Sequence, residues 1–113
     1  MSKGLRRAIM GLLLLSLMPA TTAQAETVLV KYRGAVDLES FGCEYIASSF
    51  VHRICYQSDS QYLVVLLKNT YHHYCRMPPE IVQEWLSAPS KGKFYNAYVK
   101  GRFDCRLGGV PGS

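Results

Sequence analysis

Between Glu26 and Arg76 apolar and polar positions mostly alternate, and beyond Pro78 the period lengthens to that of a helix. In Glu26 to Arg33, Val28, Val30 and Tyr32 alternate with Thr27, Leu29 and Lys31. This β-branched and aromatic run predicts a strand, closed by Gly34. Residues 35–46 mix apolar and acidic side chains around Gly42-Cys43 and read as an irregular crossing segment pinned at Cys43. After Ser48-Ser49, a strand places Phe50, His52, Ile54 and Tyr56 on one side and Val51, Arg53 and Cys55 on the other. Neither face is purely apolar. A bulge that turns both Val51 and Ile54 inward resolves the conflict. Tyr62 to Leu67 is the most apolar run after the N-terminus, and it predicts a central strand buried on both faces.

Lys68-Asn69-Thr70-Tyr71 reads as a tight reversal with a two-residue loop at Asn69-Thr70, followed by a returning strand from Tyr71 to Arg76. Alternation then divides the hairpin. Leu63, Val65, Leu67, His72 and Tyr74 share one face, and Val64, Leu66, Tyr71, His73 and Cys75 share the other. Pro78-Pro79 stops the strand and pre-sets a helical turn. Ile81, Val82, Trp85 and Leu86 form one apolar stripe, ended by Ala88-Pro89. Ser90 caps a second helix with the stripe Phe94, Tyr95, Tyr98 and Val99, and Gly101 stops it. The expected architecture is α+β: a small antiparallel meander of three or four strands, with two C-terminal helices on the Leu63/Val65 face and the 26–46 segment covering the other.

The first 25 residues change the compartment. A basic start with Lys3, Arg6 and Arg7, an apolar run from Ala8 to Met18 and small residues at Ala23 and Ala25 predict an export signal cut after Ala25. The apolar run is short for a bilayer span. The reading divides the chain into a signal (1–25), an N-terminal strand and covering segment (26–46), a domain (46–106) and a flexible tail (107–113). It predicts a periplasmic or extracellular protein without a stable membrane anchor. Removing the signal lowers the formal charge from +5 to +2, so the basic balance is not by itself a nucleic-acid footprint. An even set of cysteines in an exported chain, Cys43, Cys55, Cys75 and Cys105, reads as two disulfides. If Tyr56 pairs with Tyr62, Cys55 points toward the helices while Cys75 points toward the N-terminal segment. The favoured pairing is then Cys43–Cys75 with Cys55–Cys105, and a one-residue change of register reverses it.

The order of motifs resembles the KTSC domain family, a short module found at the C-terminus of some lysyl-tRNA synthetases and alone in many bacterial proteins. The resemblance covers residues 46 to 104. It is carried by Ser48-Ser49, Tyr56, the apolar 63–67 run, His72 and Tyr74 before Pro78, and Ser90-x-Gly92-x-Phe94-Tyr95-Asn96. His72 stands where the family has a first Tyr, and no hairpin Gly is present. The resemblance implies no established activity. RNA binding has been suggested for the family, a link that loses force for an exported chain.

The chemistry in the sequence is sparse. Tyr74 and His72 would stack on bases only if exposed, and the expected helices cover them. Lys91, Lys93, Lys100 and Arg102 flank the second helix and are the candidate residues for a polyanionic partner, against a plainly solvated helix face. Cys75 beside His72 and His73 has the elements of a Cys/His nucleophile, but a cysteine in an oxidising compartment is expected to be bridged. No Cys-x-x-Cys spacing, His-Glu-x-x-His or phosphate-cradling loop occurs, so no metal, cofactor or catalytic residue is assigned. The expected function is a non-catalytic binding or interaction module for an unknown protein or polyanion. A nucleic-acid binder and a small Cys/His enzyme are the alternatives.

Overall fold

The computed structural model describes residues 26–107 and 109–111. The expected signal peptide lies outside the described residues, as do Gly108, Gly112 and Ser113 of the tail. Six strands form one sheet: β1 (Thr27–Val30), β2 (Gly34–Asp37), β3 (Gly42–Tyr45), β4 (Val51–Gln57), β5 (Tyr62–Leu67) and β6 (Thr70–Tyr74). Their order is β2-β1-β6-β5-β4-β3. All neighbours are antiparallel except β1 and β6, which meet in parallel at Val30 and Tyr71. The fold is α+β, but the sheet is mixed and has six strands rather than three or four. The segment expected to be an irregular cover supplies the extra strands. Its β3 pairs with the β4 edge of the β4–β6 meander and its β2 with β1, while β1, expected as a strand, takes the β6 edge; meander edges otherwise present unpaired N–H and C=O groups.

β5 is central, and its first four residues are buried on both faces. The hairpin after it turns at Lys68-Asn69, so Leu67 opposes Thr70 and Leu63 opposes Tyr74. Lys68 takes the left-handed conformation (φ 56°), which leaves β-branched Thr70 extended in the strand. The turn thus lies one residue earlier than expected, and each β6 residue opposes a β5 residue two places away from the expected partner. A shift of two preserves the faces, so the predicted division of side chains holds.

In β4 the expected bulge is present. Val51 opposes Leu67 while Arg53 opposes Leu66, which leaves His52 as the extra residue. Val51 and Ile54 both enter the helix-side core. Past the bulge, however, Tyr56 opposes Leu63 and Cys55 opposes Val64. This one-residue difference from the expected register turns Cys55 to the N-terminal side. The disulfide assignment is corrected accordingly: the bonds are Cys43–Cys55, between opposed residues of β3 and β4, and Cys75–Cys105.

Two layers flank the sheet. On one face lie α1 (Pro79–Ser87) and α2 (Lys91–Phe94), the latter continued by a π-helical turn, Tyr95–Val99. Trp85 is fully buried there with Met77, Val82 and Val99. On the other face Leu38, Phe41 and the two disulfides cover Tyr62 and Val64. Arg53, 5% exposed, lies on this side. Its guanidinium donates to Glu26 in two bonds of 2.6 and 2.8 Å, finds no acceptor for its Nε–H among the described residues, and lies 4.6 Å from the Tyr45 ring centre. Hydrogen bonding to Arg53 holds the Glu26 carboxyl below its ordinary pKa.

Two outcomes follow for stability. Loop-closure entropy gives about 4 kcal/mol for the 30-residue Cys75–Cys105 span and about 3 kcal/mol for the 12-residue Cys43–Cys55 span. Urea unfolding of the paired Cys→Ala variants should show that order, and a larger loss for the shorter span contradicts it. Because the Glu26 pKa is lowered on folding, its ion pair contributes fully above the ordinary glutamate range and is lost as pH falls. Melting temperatures of the parent and Glu26→Gln should differ at pH 7 and converge as pH falls through the lowered Glu26 pKa, below the ordinary glutamate range.

Candidate functional site: a basic cleft at the edge of β6

Most residues of the conspicuous sequence motifs are committed to packing. Ser48 Oγ accepts from the Val51 N–H at 3.4 Å, shaping the entry to β4, while Ser49 is exposed. Tyr56 donates its hydroxyl proton to the Met77 carbonyl at 2.7 Å. Pro78 precedes α1, and its carbonyl receives the Ile81 and Val82 N–H groups. Ser90 accepts from the Lys93 N–H and caps α2. Phe94 stacks on Trp85 at 6.2 Å, and Tyr95 meets Trp85, Phe50 and Tyr74. The Tyr74 and Tyr95 hydroxyls share a hydrogen bond of 2.7 Å. Gly92 is buried so close to Phe50 that a Cβ there would lie 2.5 Å from a ring carbon. Asn96 is exposed. Burial and the Tyr95 hydroxyl raise the Tyr74 pKa, so the phenol stays protonated.

Of the four cations expected to act together, one lines a cleft and another closes a helix end. The Lys91 ammonium donates to the Ala88 carbonyl at 2.6 Å and so closes the end of α1. Lys93 and Lys100 are exposed on the second helix. Arg102 alone lines a cleft of about 670 Å³, together with Lys31, Tyr32, His72, His73 and Arg106.

The position of this cleft follows from the sheet. His72, His73 and Tyr74 are consecutive residues whose side chains alternate, yet all three line it. The cleft therefore sits on the edge of β6, where both faces and the backbone meet. β1 covers that edge only as far as Tyr71, whose carbonyl accepts from the Lys31 N–H at 2.9 Å. The chain returns to the edge at Cys75, whose N–H donates to the Phe103 carbonyl at 2.8 Å. Asp104 and Arg106, brought there by the Cys75–Cys105 bond, close the far end.

The charge is unevenly committed. Arg106 and Asp104 hold one another at 2.6 Å, which pulls the Asp104 carboxyl down to about 2. Lys31 and Arg102 have no ion-pair partner among the described residues. Burial, and Lys31 nearby, lower the His72 pKa, while burial and Arg33 lower that of His73. Both imidazoles are thus neutral at pH 7. His73 Nδ1 lies 2.7 Å from the hydroxyl of Tyr62, a phenol that burial pushes up to about 12.

Residues 47–103, half of the 113-residue chain, match the KTSC domain. The chain belongs to the KTSC domain family. A crystal structure of a KTSC domain protein from Yersinia pestis is similar, with a TM-score of 0.54 and 28% identity over 57% of this chain and 92% of that one. No curated protein matches. The KTSC match begins after β3, so Lys31 and Tyr32 lie before it and Asp104 and Arg106 lie beyond it. The cleft is built where flanking segments meet the KTSC core. Sequence reading missed Lys31, Tyr32, Asp104 and Arg106 because no local spacing connects them. The correct pairing of Cys75 with Cys105 would have placed the last two at the end of β6.

Gly92 provides a packing test. Gly92→Ala should destabilise the domain by about 1–3 kcal/mol through overpacking against Phe50. In urea unfolding, the added Phe50→Ala change should cost less in the Gly92→Ala background than alone. Additive costs contradict the contact.

Proposed function

We propose that this KTSC protein is an exported, non-catalytic binding module that engages an acidic segment of a partner protein through the β6-edge cleft. The observation that carries the reading is the pair of uncommitted cations, Lys31 and Arg102, at one concave site whose other charges are already paired. Concavity focuses their field and favours an anionic partner. Two disulfides are consistent with an oxidising compartment, and the expected signal supports export. The cysteines argue against a Cys/His enzyme: Cys75 is bonded to Cys105, so no thiolate stands beside His72 and His73.

Polyglutamate serves as the acidic probe. The oxidised protein spanning residues 26–113 should bind it more weakly as salt rises. Lys31→Gln and Arg102→Gln should each lower affinity by about three- to tenfold, while Lys93→Gln, at an exposed position outside the cleft lining, leaves it unchanged. Equal losses from all three substitutions, or no binding at low salt, would remove the cleft as the binding surface.

A further inference from the structure

The cleft floor is a strand edge with one unfilled position. In an antiparallel pair, residues alternate between facing the partner strand and facing away. Tyr71 and Cys75 both bond outward from β6, to Lys31 and Phe103. His73 lies midway between them, so its backbone N–H and C=O also face away from β5. Among the described residues no backbone group reaches either one. The vacancy is bounded: Lys31 occupies the position before it and Phe103 the position after it. A passing strand of another protein therefore cannot extend along this edge. What fits is a compact group that accepts from a single N–H.

The surroundings specify the charge of that group. Lys31 approaches from the end of β1 and Arg102 from the segment after the π-helical turn. The His73 and His72 imidazoles line the same wall. Asp104 is the acidic side chain lining the cleft, and Arg106 neutralises it. Donors and positive charge thus converge on a position where the main chain supplies a free N–H, the arrangement that binds oxyanions elsewhere in proteins.

We infer that the gap at His73 is a seat for a single oxyanionic group, a carboxylate or a phosphate, whose oxygen accepts from the His73 backbone N–H while Lys31 and Arg102 balance its charge. This inference rests on the cleft being the binding surface and adds the chemistry recognised there. On a protein partner, the seat would hold one acidic side chain or a C-terminal carboxylate at the centre of the contact. On a small ligand, it would hold the phosphate or carboxylate itself.

The test is a titration of the oxidised 26–113 protein, labelled with ¹⁵N, with acetate and with inorganic phosphate at constant ionic strength set by sodium chloride. The expected result is a saturable shift of the His73 amide resonance with at least one of the two probes and none with chloride alone. The preferred probe tells whether carboxylate or phosphate is the natural group. Lys31→Gln and Arg102→Gln, both at exposed positions, should each weaken the saturating response by about three- to tenfold. No saturable shift at His73 with either probe, or the same shift with chloride, overturns the seat. If polyglutamate still binds in a cleft-dependent way in that case, the broader reading stands and only the seat falls. If polyglutamate fails too, both fall.

Discussion

At His52, β4 carries one residue more than β5 opposite it, and every side chain downstream is turned over relative to an unbroken ladder. With Val51 facing the helices, an unbroken β4 would send Arg53 and Cys55 the same way and Ile54 away. A guanidinium would then lie among Trp85, Leu63 and Met77 without a counter-ion, at the cost of a buried charge. The bulge removes that cost. It puts Ile54 under the helices, brings Arg53 to Glu26 and the Tyr71 hydroxyl, and sets Cys55 opposite Cys43. The ion pair, one disulfide and the composition of both cores depend on this single insertion.

The two cores are held by different means. The helix-side core is dense in large side chains, with Trp85 and Tyr95 at its centre and Phe50, Phe94 and Tyr74 packed around them. No disulfide cysteine lies in it, and its buried residues fall within the KTSC match. The opposite core is thinner, built from Val30, Val36, Leu38, Tyr62 and Val64 with cysteines between them. Short strands at the two sheet edges supply it, and each buries little apolar surface. A domain of this size gains much from cross-links in such a layer. Both disulfides lie there, and so does the Arg53–Glu26 pair that fastens the start of β1.

Much of this was legible in the sequence, and the failures have one origin. The central strand, the bulge, both helices with the Ser90 cap, and the division of the hairpin into faces follow from local periodicity and from capping and turn chemistry. Local signals carry no information on which distant backbones pair. Thr27 to Val30 was readable as a strand, but its parallel contact with Tyr71 was not. The bulge was readable at Val51 and Ile54, but its consequence four residues on, at Cys55, was not carried forward, and the disulfide pairing reversed. Lysines close in sequence suggested a shared surface. The structure instead gives Lys91 to a helix end and joins Arg102 to Lys31 from the far side of the chain.

The cleft itself results from two places where the backbone leaves the sheet early. After Val30 the chain turns back through Tyr32 (φ 68°) and Gly34 (φ 96°), so β1 pairs with β6 for one residue and stops. At the other end Phe103 (φ 56°) turns its carbonyl onto Cys75. Tyr32 and Phe103 are bulky residues in a conformation that favours glycine, which costs about 1–2 kcal/mol each. Such strain persists only where the surroundings impose it. The β1–β2 hairpin imposes it on Tyr32, and the Cys75–Cys105 bond anchors the segment beside Phe103. An ordinary extended residue at either position would let the chain run on along β6 and fill the edge at His73. The two strained residues flank the one backbone position left open, and the uncommitted cations Lys31 and Arg102 immediately precede them in the chain. The same two turns thus hold the strand edge open and place positive charge beside it.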